Sequence, residues 1–248
     1  MSYMYGQLYI VATPIGNLGD ITLRALETLK TVDFILCEDT RVTKNLLNHY
    51  EINRPLISYH QHTEERKVKE ITKLLEEGKN LGLVTDAGTP GISDPGGLLV
   101  KAIVRSVIPT EVEESLIPDE RDPSATYARD DNRIVPIPGP SAVIAALSIS
   151  GFPTDKFIFM GFPPHKNKRQ KFFKEVAAAE YTVVFYESGH RIIKCLNELK
   201  ENLDAKRSLV VCRELTKKFE TIYRGTIDQI IEQMKDERGE FVVVINQK

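Results

Sequence analysis

The segment Val84-Thr-Asp-Ala-Gly-Thr-Pro-Gly-Ile-Ser-Asp-Pro-Gly96 is the most informative part of this 248-residue chain. A mostly apolar run at 81–84 leads into it and predicts a short buried strand, after which three glycines, two prolines and two aspartates follow. Glycine lets the main chain approach a ligand closely, and proline stiffens a loop. Asp86 stands where this strand should end, and α/β sheets bind ligands outside the carboxyl ends of their strands. The segment therefore predicts a loop that holds a small ligand, with a rigid structural turn as the alternative.

The segments around this loop alternate between strand and helix patterns. Strands are predicted at 7–13, 34–37, 56–59, 81–84 and 134–137, and helices at 41–50, 64–77, 97–104 and 141–149, with a further helix capped by Asp20. This alternation indicates a mostly parallel sheet that is covered by helices on both faces. We therefore expect an α/β fold with an N-terminal domain at 1–150.

A second domain is expected at 151–248, because the pattern is interrupted near Gly151. Strands are predicted there at 156–160, 182–186, 208–212, 220–223 and 240–245, with helices at 168–179, 189–202 and 227–235. The last strands follow one another with little helix between them, which predicts a mixed sheet. The acidic stretch at 107–131 has no clear period and is interpreted as an inserted surface loop, with a functional lid as the alternative.

Composition is that of a soluble globular protein, with 42% hydrophobic and 27% charged residues. No apolar run approaches a membrane span, and the N-terminus lacks a signal-peptide pattern. Cys37, Cys195 and Cys212 lie far apart in apolar runs, which indicates reduced core cysteines, a cytoplasmic protein and no zinc site. The formal charge is −2 overall, but it is positive after residue 150, so an anionic partner should contact the C-terminal part.

Two more glycine- and proline-rich loops follow predicted strands, at 12–20 and 137–142. The loop at 12–20 has neither the spacing of a dinucleotide fingerprint nor the lysine of a Walker loop, which disfavours NAD and ATP. Ser141 is expected either to cap a helix or to hydrogen-bond a ligand. Together the three loops predict a pocket lined largely by backbone, suited to a ligand with amino-acid and nucleoside parts.

Charged side chains follow other predicted strands. Glu38, Asp39 and Arg41 together indicate a functional site. The alternative is that Asp39 or Thr40 caps the following helix, with a local ion pair. His60 and His62 could bind substrate, but no third ligand is apparent, so a metal is rejected. Polar and basic groups recur at 186–191 and 213–218, and the basic run at 165–171 is either a phosphate contact or a solvated helix start.

The loops at 13–22, 38–41, 85–96, 138–142 and 213–218 resemble, in order, the signature motifs of the ribosomal RNA small subunit methyltransferase I family, within the tetrapyrrole methylase superfamily. The resemblance runs from about Tyr9 to the last strand. It implies a two-domain, tetrapyrrole-methylase-like (class III) methyltransferase, a homodimer, and S-adenosylmethionine bound in a cleft between the domains. The implied activity is 2′-O-methylation of a cytidine in 16S ribosomal RNA.

The resemblance also implies which residues contact the cofactor: Pro14, Asp86, Ala87, Gly88, Thr89, Ile92, Ser93, Ser141, Ala142 and Tyr186. Two departures from the family pattern stand out. Gly189 replaces a usual proline, which should loosen its turn, and the segment at 107–131 is additional.

Methyl transfer to a ribose hydroxyl is an in-line displacement that depends mainly on alignment. Glu38 or Asp39 is the candidate proton acceptor. The groups expected to hold RNA are Arg41, His60, Arg191, Arg213 and Lys217, and the target nucleotide has to be unpaired or flipped out. The alternatives are methylation of a tetrapyrrole precursor and an inactive RNA-binding assembly factor.

Overall fold

The computed structural model describes residues 5–59, 65–94, 96–107 and 133–248. The chain divides into two compact units, one formed by Met1–Thr13 and Asp20–Gly139, the other by Pro14–Gly19 and Pro140–Lys248. The division therefore falls earlier than the boundary near Gly151 that the sequence suggested. Apart from Val107, the predicted insertion at 107–131 lies outside the described residues.

The first unit contains a five-stranded sheet in which all paired strands are parallel. Its strands are β1 (Leu8–Val11), β2 (Phe34–Cys37), β3 (Leu56–Ser58), β4 (Leu81–Leu83) and β5 (Ile134–Ile137). Their order is β3-β2-β4-β1-β5, so β4 lies between β1 and β2. The carboxyl ends of these three central strands consequently lie side by side at one edge of the sheet.

Helices cover both faces of this sheet, as the sequence predicted. They are α1 (Leu23–Thr31), α2 (Thr40–His49), α3 (Glu65–Glu76) and α4 (Gly96–Val107). Successive strand residues point to opposite faces, and the neighbours Ile35 and Leu36 accordingly belong to different apolar clusters. Ile35 packs with α1 and α2, whereas Leu36 packs with α3 and α4.

The start of α1 differs from the prediction. Thr22 is the N-cap, since its hydroxyl oxygen accepts a hydrogen bond of 3.1 Å from the Ala25 amide. Asp20 instead ends a short 3₁₀ turn at Leu18–Asp20, so its assignment as the cap was wrong. Aspartate and threonine are both good caps, and the extra turn moves the helix start by two residues.

The second unit contains a mixed five-stranded sheet, which confirms the prediction for this half. Its strands are β6 (Phe157–Phe159), β7 (Thr182–Ser188), β8 (Leu209–Arg213), β9 (Thr221–Gly225) and β10 (Glu240–Ile245). The order is β6-β7-β10-β8-β9, with β6 and β7 parallel and all other pairs antiparallel. β7 continues to Ser188 because β10 pairs with it to that point, so Glu187 belongs to the strand and not to a loop.

Helices α5 (Ala142–Ser150), α6 (Arg169–Ala178), α7 (Gly189–Lys200) and α8 (Ile227–Gln233) cover this sheet. On one face, Phe173 of α6 and Leu196 of α7 pack with Ile230 of α8 in one apolar cluster. On the other face Leu147 of α5 packs against Val184 and Val242. These contacts place α5 in the second unit, although the sequence analysis assigned it to the first domain.

Gly189, the first residue of α7, is enclosed by the segment that precedes β10. A Cβ atom at Gly189 would lie 2.3 Å from the Glu237 carbonyl oxygen and 2.9 Å from the Gly239 nitrogen. Two backbones therefore approach each other where most residue types would clash. The turn at Gly189 is therefore tightly packed against this segment, and the loosening expected from the missing proline stays a prediction.

Candidate active site

Two loops of the first unit are joined at the carboxyl edge of its sheet. Thr13, after β1, and Gly88, after β4, exchange two backbone hydrogen bonds of 2.9 and 3.1 Å. The Thr13 hydroxyl also donates to the Thr85 carbonyl at 3.0 Å. Thr13 and Thr85 are both buried, so this connection fixes the start of the Asp86 loop against β1.

The loop after β4 has an unusual backbone. Gly88 and Gly91 have φ angles of +87° and +89°, and Ser93 has φ of +64°. A positive φ is uncommon outside glycine and often marks a functional loop. Ala87 and Ser93 are exposed, Ile92 is 48% exposed, and Thr89 is half-buried. Apart from the exposed carboxylate of Asp86, the outer surface of this loop therefore consists of backbone and small or apolar side chains.

Asp94 holds the loop in this shape. Its Oδ1 atom accepts hydrogen bonds of 2.7 Å from the amides of both Gly91 and Gly96. Gly96 is the first residue of α4, so the same carboxylate satisfies an amide at the helix start and closes the loop. Two shared hydrogen bonds to a charged acceptor make the loop rigid before any ligand arrives.

A cluster of acidic side chains lies where β2 and β4 end. The Thr85 hydroxyl donates to Glu38 Oε1 at 2.5 Å, and the Asp39 amide donates to Asp86 Oδ1 at 3.3 Å. Burial raises the pKa of Glu38, and the negative charges of Asp86 and Asp94 raise it further. Partial desolvation likewise raises the pKa of Asp86, while the hydrogen bond from the Asp39 amide opposes this rise and the Asp39 charge adds to it. Glu38 therefore binds a proton more readily than an ordinary glutamate does.

Asp39 has the opposite environment, although it is the next residue. It is the N-cap of α2, and its carboxylate accepts hydrogen bonds from the Arg41 amide at 2.8 Å and from the Arg41 guanidinium at 2.6 Å. These bonds lower the pKa of Asp39 to about 2. Asp39 thus has the geometry of the helix-cap alternative. Because its carboxylate already accepts these hydrogen bonds, it is a weak base. The Arg41 side chain is 88% exposed.

The loop after β1 continues into the second unit. Ile15 packs with Val143 and Leu215, and a Cβ atom on Gly16 would lie 2.3 Å from the Cγ atom of Lys217. The aliphatic part of Lys217 therefore lies directly on the Gly16 backbone. Pro14, at the start of this segment, is buried. The structure thus brings together two separate motifs of the sequence analysis, at 13–22 and 213–218.

The Lys217 ammonium group is paired with two carboxylates. It donates to Glu214 Oε1 at 2.9 Å and to Glu240 Oε2 at 2.8 Å. The two carboxylates reduce the attraction of the Lys217 ammonium group for a phosphate. This geometry therefore favours a role for Lys217 in holding the turn at 213–218 against Gly16. Glu214 and Thr216 in the same turn have φ angles of +52° and +65°, which shows that the turn is strained.

Three residues expected at the cofactor lie in the second unit. Ser141 is the N-cap of α5 and forms no side-chain cap bond, and Ala142 begins that helix. Tyr186 lies in β7, where its ring contacts Phe159 and Phe162 at centroid distances of 5.1 and 5.3 Å. The Ser141 side chain is therefore not used as the helix cap that the sequence analysis weighed.

Two arginines expected to hold RNA are enclosed within the second unit. Arg213 is 8% exposed and donates to the Arg238 carbonyl at 2.8 Å, the Phe219 carbonyl at 3.1 Å and Asp236 at 2.8 Å. Arg191 is paired with buried Glu187 at 3.2 Å. These contacts favour structural roles over phosphate binding for both arginines.

Sequence reasoning missed three polar residues that shape these regions. Thr85 and Asp94 lie inside the quoted segment, where their position beside a strand end and a helix start was an available signal. Buried Arg169 faces Glu187 across 3.7 Å, and no spacing rule connects residues so far apart. His60 and His62 lie outside the described residues.

Within the described ranges, no group of three or more His, Cys, Asp or Glu side chains is arranged to hold a metal ion. None of the helices in the described part of the chain is both long and apolar enough to cross a membrane.

Comparison with known proteins shows similarity over almost the whole chain. The family described as Tetrapyrrole (Corrin/Porphyrin) Methylases matches residues 7–113 and 125–231. Proteins named Ribosomal RNA small subunit methyltransferase I are 45% identical in Synechocystis over 97% of this chain and 78% of the relative, and 42% identical in Escherichia coli O157:H7 over 97% and 77%. The protein of that name in Thermotoga maritima is 39% identical over 98% of this chain and 99% of its own.

Solved structures share the fold at lower identity. The methyltransferase CobJ has a TM-score of 0.64 and 18% identity, covering 98% of this chain and 94% of its own. Uroporphyrin-III C-methyl transferase from Thermus thermophilus, solved in complex with S-adenosylhomocysteine, has a TM-score of 0.61 and 15% identity, covering 97% of each chain. These likenesses confirm a two-domain α/β methyltransferase fold.

Proposed function

Because the chain belongs to the tetrapyrrole methylase family and to its ribosomal RNA small subunit methyltransferase I branch, we propose that it methylates the 2′-hydroxyl of a cytidine in 16S ribosomal RNA. The observation that carries this proposal is the 39–45% identity to relatives of that name over nearly the whole chain. The cofactor of this family is S-adenosylmethionine, which supplies an electrophilic methyl group on a sulfonium. We propose further that the protein acts in the cytoplasm as a homodimer.

The loop after β4 has properties that suit this cofactor. It is rigid because of Asp94, exposed at Ile92 and Ser93, and preceded by the carboxylate of Asp86. A nucleoside needs an acceptor for its ribose hydroxyls and an apolar surface for its base. We propose that the residues that hold it are Pro14, Asp86, Ala87, Gly88, Thr89, Ile92, Ser93, Ser141, Ala142 and Tyr186.

Glu38 is the proton acceptor that the geometry favours. The reacting hydroxyl is a weak acid, so transfer of its proton to a nearby base assists attack on the methyl group. The Thr85 hydroxyl orients the Glu38 carboxylate, and burial raises its pKa, which makes it a stronger base than Asp39. Activity should therefore fall as the pH drops through the raised pKa of Glu38.

Of the expected RNA contacts that the structure describes, Arg41 has the most exposed side chain, at 88%, and its ion pair with Asp39 lies at the surface. Charge neutralisation of phosphates by arginine supplies much of the affinity of RNA-binding proteins. His60 remains a proposed RNA contact. Arg191, Arg213 and Lys217 are proposed to act by shaping the second unit, since their side chains are only 13%, 9% and 29% exposed and each is paired with a carboxylate of that unit.

The decisive experiment measures methyl transfer to small ribosomal subunits from a bacterial strain that lacks this methyltransferase. Radiolabelled S-adenosylmethionine is supplied, and the labelled RNA is digested to nucleosides. Label in 2′-O-methylcytidine supports the proposal. Label only in an added tetrapyrrole precursor supports the tetrapyrrole alternative, and cofactor binding without any transfer supports an inactive assembly factor.

A further inference from the structure

The segment between β6 and α6, hereafter the 161–168 loop, is unusually basic. From residue 156 to residue 174 the chain has six lysines and arginines and no aspartate or glutamate. Lys166, Asn167 and Lys168 are all exposed. Among the described residues, no carboxylate pairs with Lys166 or Lys168, whereas Lys171 lies 3.6 Å from Glu175. The loop therefore presents uncompensated positive charge.

Buried Arg169 and half-buried Arg191 hold this loop by its backbone. Arg169 donates to the Pro164 carbonyl at 3.1 Å, and Arg191 donates to the Pro163 carbonyl at 2.5 Å. Glu187, which is 1% exposed, lies 3.7 Å from Arg169 and 3.2 Å from Arg191. The arginines are thus neutralised inside the unit, and their function toward the loop is to fix its position.

The loop also presents an aromatic ring. Phe162 is 50% exposed, although phenylalanine side chains are more often buried. Its ring lies 5.3 Å from that of Tyr186, and the Tyr186 amide donates to the Gly161 carbonyl at 2.8 Å. Phe162 is therefore held at the strand end that the family resemblance assigns to the cofactor.

We propose that the 161–168 loop binds a single-stranded segment of the RNA substrate, with Phe162 stacked on an unpaired base and Lys166 and Lys168 on neighbouring phosphates. This inference rests on the proposed function, because it concerns the substrate of the same reaction. An exposed aromatic ring beside unpaired cations is the chemistry by which proteins bind unpaired nucleotides. A loop that is already rigid loses little conformational entropy on binding.

The test compares two variants of the loop with a matched control. Phe162→Leu removes the aromatic face but keeps an apolar side chain, and K166S/K168S removes two charges. The control K200S/K206S also removes two charges. β7 and β8 both run antiparallel to β10 and are therefore parallel to each other. The loop lies at the carboxyl ends of these strands. The control lysines lie at the end of α7 and the start of β8, which are at the opposite edge of the sheet.

Binding of a 12-nucleotide oligocytidylate is measured by filter retention at several salt concentrations, and S-adenosylhomocysteine binding by calorimetry. We expect Phe162→Leu to weaken oligonucleotide binding about tenfold, and Phe162→Trp to restore it. In K166S/K168S the slope of log Kd against log salt should fall by about 1.4, since each single-strand phosphate contact contributes about 0.7. The control should bind the oligonucleotide as the wild type does, and K166S/K168S should keep the wild-type affinity for S-adenosylhomocysteine.

Loop variants that bind the oligonucleotide as tightly as the control would overturn the inference, as would a wild-type chain that does not bind it at low salt. Methyl transfer to small ribosomal subunits is measured separately on the wild-type protein. Its failure would refute the proposed function, whereas a loss of oligonucleotide binding confined to the loop variants reports on the loop alone.

Discussion

The buried ion pair of Glu187 gives the most demanding test of the structure. The Glu187 side chain is fully buried, with Arg191 at 3.2 Å and Arg169 at 3.7 Å. In Glu187→Gln the side-chain volume stays the same, and the amide oxygen can still accept from the Ser188 amide, which is 2.8 Å from the carboxylate. Arg169 keeps Glu198 at 2.7 Å, but Arg191 loses its carboxylate. Removing one partner of a buried pair costs about 3–5 kcal/mol.

The matched control is Glu175→Gln, which removes a glutamate from an exposed pair with Lys171 in the same unit. Such surface pairs contribute about 0–1 kcal/mol. For a protein of this size each kcal/mol shifts Tm by about 2–4 °C, so Glu187→Gln should melt roughly 6–20 °C below wild type. Thermal unfolding followed by circular dichroism measures both variants.

A second variant separates the lost charge pair from a general packing defect. E187Q/R191Q removes both charges, so it should recover part of the loss, because no charge of that pair is left buried without its partner. The reasoning is refuted if Glu187→Gln and Glu175→Gln melt at the same temperature.

Four further outcomes are expected. Glu38→Gln should lower methyl transfer about 10²–10⁴-fold and abolish the acidic limb of its pH profile, with S-adenosylhomocysteine affinity unchanged in calorimetry. Asp86→Ala should weaken that affinity about tenfold, because a charged hydrogen-bond acceptor is lost; equal affinity would remove Asp86 from the site. Arg41→Ala should slow RNA methylation while cofactor binding persists, and an unchanged rate would contradict its role. Gly189→Ala should lower Tm, since its Cβ would meet a carbonyl at 2.3 Å, whereas Gly97→Ala, whose Cβ meets nothing within 4 Å, should not.

Much of the fold follows from local patterns. The alternation of apolar strands with amphipathic helices predicted every strand of both sheets and the parallel arrangement of the first. The helix start at Thr22 was missed because Asp20 is an equally good cap by composition, and only the intervening 3₁₀ turn decides between them. The position of α5 was missed because a helix that is apolar on all sides gives no indication of which sheet it will cover.

The site was less predictable, because its chemistry depends on contacts between distant residues. Arg169 and Glu187 are separated by helix α6 and most of strand β7, so no spacing rule connects them. Arg213 had the appearance of a surface cation following a strand, yet it is buried and bonded to two carbonyls and to Asp236. The sequence alone does not distinguish an arginine that binds a phosphate from one that anchors a loop.

Glu38 and Asp39 show most directly how environment divides two adjacent carboxylates. Side chains of neighbouring residues leave the backbone in different directions, and here one enters the space beside Thr85 while the other turns back onto the amides of α2. Burial raises the pKa of Glu38, whereas the Arg41 hydrogen bonds lower the pKa of Asp39 to about 2. A proton acceptor for a weakly acidic hydroxyl has to be basic enough to hold the proton it receives. Of the two carboxylates, only Glu38 meets that condition. Asp39 does not, because helix α2 begins at Thr40 and the Asp39 carboxylate caps it.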